Sequence, residues 1–154
     1  MRRREFLAGL AAGLALPGRA AAQAAEENPI APLSPVDPKV LAVTKGAPVR
    51  KGRVQLTLPQ LADNGNSVPM KVSVDSPMTA KDHVRAIHLF SERNPVRDMA
   101  AFYLGPDAGR AEVVSRVRLA GSQTVVALAE LSDGTFWSGS TPVVVTLSAC
   151  LDES

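Results

Sequence analysis

The chain has 154 residues, 45% hydrophobic and 21% charged but only 4% aromatic, the composition of one soluble globular domain with an aliphatic core. Its formal charge of +2 comes from the N-terminus: without Arg2, Arg3, Arg4, Arg19 and Glu5, 13 basic and 14 acidic side chains remain, a net charge of −1. The remaining domain has no basic excess, which argues against nucleic acid as a partner.

Arg3-Arg4-Glu5-Phe6-Leu7 fits the R-R-x-F-L pattern of a bacterial twin-arginine signal. An Ala/Gly-diluted apolar stretch follows from Leu7 to Leu16, and Pro17-Gly18 break it. That run is about ten residues long, where a bilayer span takes ~20, so no membrane span is expected. Ala20-Ala21-Ala22 offers small residues to a signal peptidase, which makes residues 1–22 a leader and Gln23 the new N-terminus. The expected location is the periplasm. Twin-arginine export carries folded proteins, and with no cofactor site evident, a folded partner travelling with the chain is expected.

Residues 23–52 are rich in Pro and Ala, with Pro29, Pro32, Pro35 and Pro38 in close succession. Each proline removes a donor and restricts the residue before it, so only Lys39 to Thr44 has room for a helical turn. From Arg53 the texture becomes short strand-like runs divided by turns. Val54–Leu58 alternates apolar and polar residues, then Asp63-Asn64-Gly65-Asn66-Ser67 makes a turn, with Asn-Gly suited to positive φ. Val68–Val74 alternates again and stops at Ser76-Pro77. Val84–Ser91 is a more continuous apolar run that ends before Asn94-Pro95.

Ala100–Leu104 and Ala111–Leu119 flank the Gly105–Gly109 loop. Gln123–Leu131 leads into the short hairpin turn Asp133-Gly134. Thr135–Ser138 and Val143–Leu147 complete the regular part. Strands at this spacing, with no helix-period segment, predict an all-β antiparallel β-sandwich over residues 53–147. Residues 148–154 leave it as a tail, expected to be mobile unless something binds it.

Gly-rich phosphate loops, a Walker pattern and a nucleophile elbow are missing from the sequence. His83 and His88 are five residues apart on one strand and so point to opposite faces, a poor arrangement for a shared metal. No carboxylate pair stands out as acid and base. Phe136 and Trp137 read as strand packing, and Arg50-Lys51-Gly52-Arg53 as the charged entry to the first strand. No catalytic, cofactor-binding or metal-binding residue is assigned.

Cys150 is different. It is the one cysteine in the sequence, so it has no partner for an intramolecular disulfide. It also lies beyond the last strand. In an oxidising compartment an exposed lone thiol is prone to dimerisation and over-oxidation, and is either incidental or kept for intermolecular chemistry.

Leu61-Ala62-Asp63-Asn64-Gly65-Asn66-Ser67-Val68-Pro69, with Val74-Asp75-Ser76-Pro77-Met78-Thr79, resembles the SoxY family of the periplasmic thiosulfate-oxidation system. So do Ile87-His88-Leu89-Phe90 with Asn94-Pro95, Arg116-Val117-Arg118-Leu119-Ala120, Thr124–Ala127 and Leu131–Gly134. The likeness runs from about Val40 to Leu147. It implies an immunoglobulin-like sandwich paired with a SoxZ-like subunit in a heterodimer. It also implies that Cys150 is the point of covalent sulfur attachment. The implied readers of the cargo are a c-type cytochrome, a sulfate-releasing hydrolase and a molybdenum–haem sulfane oxidase.

The family's cysteine stands in a Gly-Gly-Cys-Gly-Gly ending, whereas here Ser148-Ala149 and Leu151-Asp152 flank Cys150. Ala and Leu avoid conformations open to Gly, and Leu151 adds bulk beside the sulfur. Asp152 and Glu153 favour the neutral thiol over the thiolate, an effect that exposure screens.

The principal expectation is therefore a sulfur carrier without catalysis of its own. Its alternative is a diverged binding or assembly module whose cysteine is idle or serves another sulfur route. A self-contained thiol enzyme needs a base beside Cys150, and both histidines fall within the strand region.

Overall fold

A computed structural model describes residues 37–149 of the chain. Residues 1–36, which include the expected leader, and Cys150 with the rest of the tail lie outside the described residues.

The described chain opens with helix α1, Pro38–Thr44. Asp37 caps it by accepting a hydrogen bond from the Lys39 amide at 2.9 Å, and Pro38 takes the first turn, where no amide is needed. Lys45 and Gly46, both at positive φ, end it. Nine strands follow: β1 (Val49–Lys51), β2 (Val54–Thr57), β3 (Leu61–Ala62), β4 (Val68–Val74), β5 (Val84–Ser91), β6 (Asp98–Tyr103), β7 (Glu112–Val117), β8 (Gln123–Leu131) and β9 (Phe136–Val145). A short 3-10 turn, Pro106–Ala108, sits in the loop between β6 and β7.

These strands form two facing sheets. One runs β1-β9-β8-β5-β6 with β3 also paired to β9, and the other runs β2-β4-β7. The fold is the expected all-β sandwich, antiparallel except where β1 and β3 pair in parallel with β9. Each of these additions is only two or three residues long, below what a sequence pattern resolves. Arg50 and Lys51 are thus strand residues rather than an entry to one, and the folded unit takes in the chain from Asp37 onward.

The smaller sheet buries one face. Val68, Met70, Val72 and Val74 of β4 point inward while Pro69 and Lys71 are exposed, the period-two pattern of a half-covered strand. The larger sheet is covered on both faces at its centre. Leu89, Val125, Ala127, Ala129 and Leu131 face the sandwich interior. Phe90, Val126, Leu128 and Phe136 pack outward against Val40 of α1, with Val43, Ala47 and Val49 around it. This double burial is why β5 reads as a continuous apolar run instead of an alternating one.

Beyond the hairpin turn, where Gly134 does adopt positive φ (80°), the structure departs from the expected pair of short strands. β9 is a single strand from Phe136 to Val145. Gly139 and Pro142 fall in the gap between the two expected strands, yet each has a place in β9. A Cβ on Gly139 would collide with the Val54 carbonyl of β2, so glycine lets the two sheets touch at this corner. Thr141 hydroxyl donates to the Leu56 carbonyl at 2.5 Å on the same side. Pro142 lies between the stretches paired to β1 and β3, where that flank of β9 has no parallel partner strand. The sandwich is closed along β9 and β2.

Candidate functional site

The end of the described chain is held tightly. After β9, the Thr146 amide donates to the Ala62 carbonyl at 3.0 Å and its hydroxyl to the Asp63 carbonyl at 2.9 Å. The Gly65 amide donates to the Leu147 carbonyl at 2.7 Å, and the Ala149 amide to the Leu119 carbonyl at 3.1 Å. Leu119 in turn donates to the Gly65 carbonyl at 2.8 Å, which closes the set. Ala149 is buried, at 5% exposure. Of the tail expected to be mobile from residue 148, Ala149 is instead buried and bonded through its amide to the Leu119 carbonyl, while Ser148 is exposed between the bonded Leu147 carbonyl and Ala149 amide. The chain is held up to the residue before Cys150.

Gly65 is required for its small size. A Cβ there would meet the Leu119 carbonyl oxygen, would lie 2.9 Å from the Ala149 nitrogen and 3.0 Å from Val145 Cγ1. It is not among the glycines at positive φ, nor is Asn64 among the non-glycine residues there, so close approach and not a left-handed turn explains Asn-Gly at this point. Asn64 contributes an Asx-type turn, its Oδ1 accepting from the Asn66 amide at 2.9 Å.

The second loop, residues 118–123, is fixed by a polar network centred on Asn94. Asn94 Oδ1 accepts from the Ala120 amide at 2.9 Å and from Gln123 Nε2 at 3.0 Å, while its Nδ2 donates to the Arg118 carbonyl at 2.8 Å. Gln123 is fully buried and its Oε1 accepts from the Arg93 amide at 3.0 Å. Ser122 Oγ accepts from the Val145 amide at 2.9 Å, which ties this loop to the end of β9. Asn94-Pro95 reads from sequence only as a turn, and its clamping role needs the long-range partners to be seen.

Arg93, Arg116 and Arg118 stand around this end of the sandwich. Arg93 donates to the Ser122 carbonyl at 3.1 Å and Arg116 to Ser67 Oγ at 3.1 Å. Among the described residues none of the three pairs with a carboxylate. Glu92 is the adjacent acid, its Oε2 accepting from the Thr124 amide at 3.2 Å.

The histidines lie elsewhere. His83 precedes β5, within 3.0 Å of the Thr79 carbonyl. His88 is buried on the outer face at 8% exposure, stacked on Phe90 with Tyr103 edge-on. Burial pushes its pKa below the ordinary histidine value, with Asp98 and Glu130 opposing that shift. Among the described residues no three His, Cys, Asp or Glu side chains form a group that could hold a metal ion. Trp137 packs on the interior with the guanidinium groups of Arg50 and Arg53 over its ring at 5.6 and 5.4 Å. Gly52, at φ 110°, carries the chain past that ring.

Three stretches distant in sequence, Asp63–Ser67, Asn94-Pro95 and Arg116–Ala120, thus converge where the chain leaves the sandwich toward its cysteine. An immunoglobulin-like sandwich with a clamped exit of this kind defines the class. Residues 40–150 match the family described as sulfur oxidation protein SoxY, and the chain belongs to that family. Among solved structures it is similar to the sulfur carrier protein SoxY from Chlorobium limicola f thiosulfatophilum, at 24% identity and TM-score 0.60, over 71% of this chain and 94% of that one. It is also similar to a superoxide reductase (neelaredoxin) from Ignicoccus hospitalis, at 18% identity and TM-score 0.54, over 61% and 80% of the two chains. Both likenesses are of fold. No curated protein matches the sequence.

Proposed function

We propose that this protein carries sulfur intermediates of thiosulfate oxidation covalently on Cys150 and presents them to partner enzymes. The observation that supports this most is that the family match ends on residue 150, so the cysteine falls inside it. The clamp at Ala149 supplies a fixed exit point for the arm. The guanidinium groups of Arg93, Arg116 and Arg118, which pair with no carboxylate among the described residues, give that end of the molecule a field suited to anionic sulfur species. Tethering raises the local concentration of the cargo at each partner in turn.

A periplasmic location after twin-arginine export belongs to this reading, as does pairing with a SoxZ-like subunit. Oxidative loading by a c-type cytochrome, sulfate release by a hydrolase and oxidation of the sulfane sulfur by a molybdenum–haem enzyme follow from the resemblance. The protein itself acts as a substrate holder, not an enzyme.

The second reading, an assembly module with an idle cysteine, draws on Ser148 and Ala149. The family's glycines are replaced there and the backbone is held. Thiosulfate-dependent growth of a host carrying Cys150→Ser separates the two. The carrier reading expects growth to be lost with pairing to the partner subunit retained; unchanged growth selects the assembly module.

A further inference from the structure

β7, Glu112–Val117, is the outermost strand of the smaller sheet, and among the described residues no strand pairs with its outer side. Its pairing on the inner side sets how its backbone points. The Val74 amide donates to the Ala111 carbonyl at 2.8 Å, and the same antiparallel register continues through Val72–Val113, Met70–Ser115 and Val68–Val117. Val113, Ser115 and Val117 therefore turn their amides and carbonyls toward β4, while Glu112, Val114 and Arg116 turn theirs away from the sheet.

Folded proteins usually blunt such an edge. β6, the edge strand of the facing sheet, has a register shift where it passes Leu89 and Phe90, and a bulge of this kind bends a strand. β7 pairs in unbroken register from Glu112 to Val117 and holds neither proline nor lysine. Its charges are Glu112 and Arg116, set on either side of Val114, and all three side chains lie on the exposed outer face. Val114 stands 72% exposed there, opposite Lys71. Glu112 reaches Lys71 at 3.1 Å through one carboxylate oxygen, and Arg116 reaches Ser67 through one guanidinium nitrogen. Each keeps hydrogen-bonding capacity for a further partner.

That order is complementary to itself. In an antiparallel pair centred on Val114, Val114 faces Val114 of the second copy, and Glu112 faces Arg116 on both sides. Residues with outward backbone groups meet residues of the same kind, so each pair exchanges both of its hydrogen bonds. Opposite charges across a strand pair favour it, and like charges oppose it. On the inner face Val113 meets Ser115 of the second copy and Val117 meets Ala111. These side chains cover the mouth of a groove of about 280 Å³ between β6 and β7, which Met99, Phe102, Ser115 and Val117 help to line.

We propose that two copies of this chain associate edge to edge through β7, about a two-fold axis at Val114, so that their smaller sheets become one continuous sheet. The contact is small, and the dimer is accordingly weak and concentration-dependent. Because the paired strands run in opposite directions, the chain exits beside Leu119 stand at opposite ends of the junction.

Sedimentation equilibrium of the full chain carrying Cys150→Ser tests this; the substitution removes disulfide-linked dimers and keeps the result separate from the cargo. The weight-average mass should rise about twofold as the chain approaches about 1 mM, and rise less at high salt. Glu112→Arg and Arg116→Glu, each alone, oppose like charges and should hold the chain monomeric. Mixed in equal amounts, the two variants bring opposite charges together again and should sediment as a dimer. In the dimer, amide exchange should slow at Glu112, Val114 and Arg116, whose acceptors lie in the second copy. A monomer at every concentration overturns the proposal, as does a dimer that both reversals leave intact or a mixture that stays monomeric. Protection of these amides only on adding a SoxZ-like subunit assigns the edge to that subunit and overturns it too.

Discussion

A Cβ placed on Gly65 would stand 2.9 Å from the backbone nitrogen of Ala149, the residue that precedes the cysteine. The loop after β3 and the end of the chain are thus packed backbone against backbone, with the Leu119 carbonyl between them. Gly65→Ala must push these three segments apart. It is expected to lower stability by about 2 kcal/mol, the usual cost of overpacking a tight contact. The urea midpoint measures this, and an unchanged midpoint would mean that the clamp is looser than described.

Asn94 should matter for a different reason. Asn94→Ala removes the acceptor of the Ala120 amide and of Gln123 Nε2 and the donor to the Arg118 carbonyl. Gln123 keeps one alternative acceptor, the Gly121 carbonyl at 3.2 Å, while the Ala120 amide loses the only side-chain acceptor shown for it. A loss of about 2 kcal/mol is expected from leaving such groups unsatisfied. Faster amide exchange in residues 118–123, with β4 unaffected, would place the damage at the clamp.

Packing across the outer face is the next test. Phe90 is 1% exposed and lies under α1 with Val126, Leu128 and Phe136. Phe90→Ala should cost about 4 kcal/mol through lost burial and the cavity left behind. Thermal unfolding reports it. Arg97→Ala, whose side chain is 49% exposed, should cost far less despite losing the ion pair with Asp37.

His88 gives the fold a pH dependence of defined sign. Its folded pKa is lowered, chiefly by burial, so the unfolded chain binds the proton more readily. Its contribution is fully present above the unfolded value, about 6.5, and is lost as pH falls from there through the lower folded pKa. His88→Phe, neutral throughout, should flatten the fall in urea midpoint between about pH 7 and pH 5. The same slope in both proteins would assign the acid sensitivity to other groups.

The long elements were legible because burial wrote a period into them. Val68–Val74, Val84–Ser91 and Gln123–Leu131 have the bounds that alternation and continuous apolar runs indicate. What stayed hidden depends on contacts between distant segments. The single strand β9 reads from sequence as two, Thr135–Ser138 and Val143–Leu147, because nothing local shows that Val54 approaches Gly139 and that Pro142 falls in an unpaired stretch. β1 and β3 are too short to carry a period. At the site, the resemblance brought out Asp63–Ser67, Asn94-Pro95 and Arg116–Ala120 as separate stretches. That they meet at one clamp requires Asn94 and Gly65 to be seen with their partners, up to 84 residues away in the chain at Ala149.

The central claim, that Cys150 carries the cargo, is tested most directly by the intact mass of the protein. It is purified without reductant from cells grown on thiosulfate, then measured again after reduction. The account predicts a reducible mass increment that maps to Cys150 and is missing from Cys150→Ser. A free, unmodified thiol in cells that are oxidising thiosulfate would contradict it.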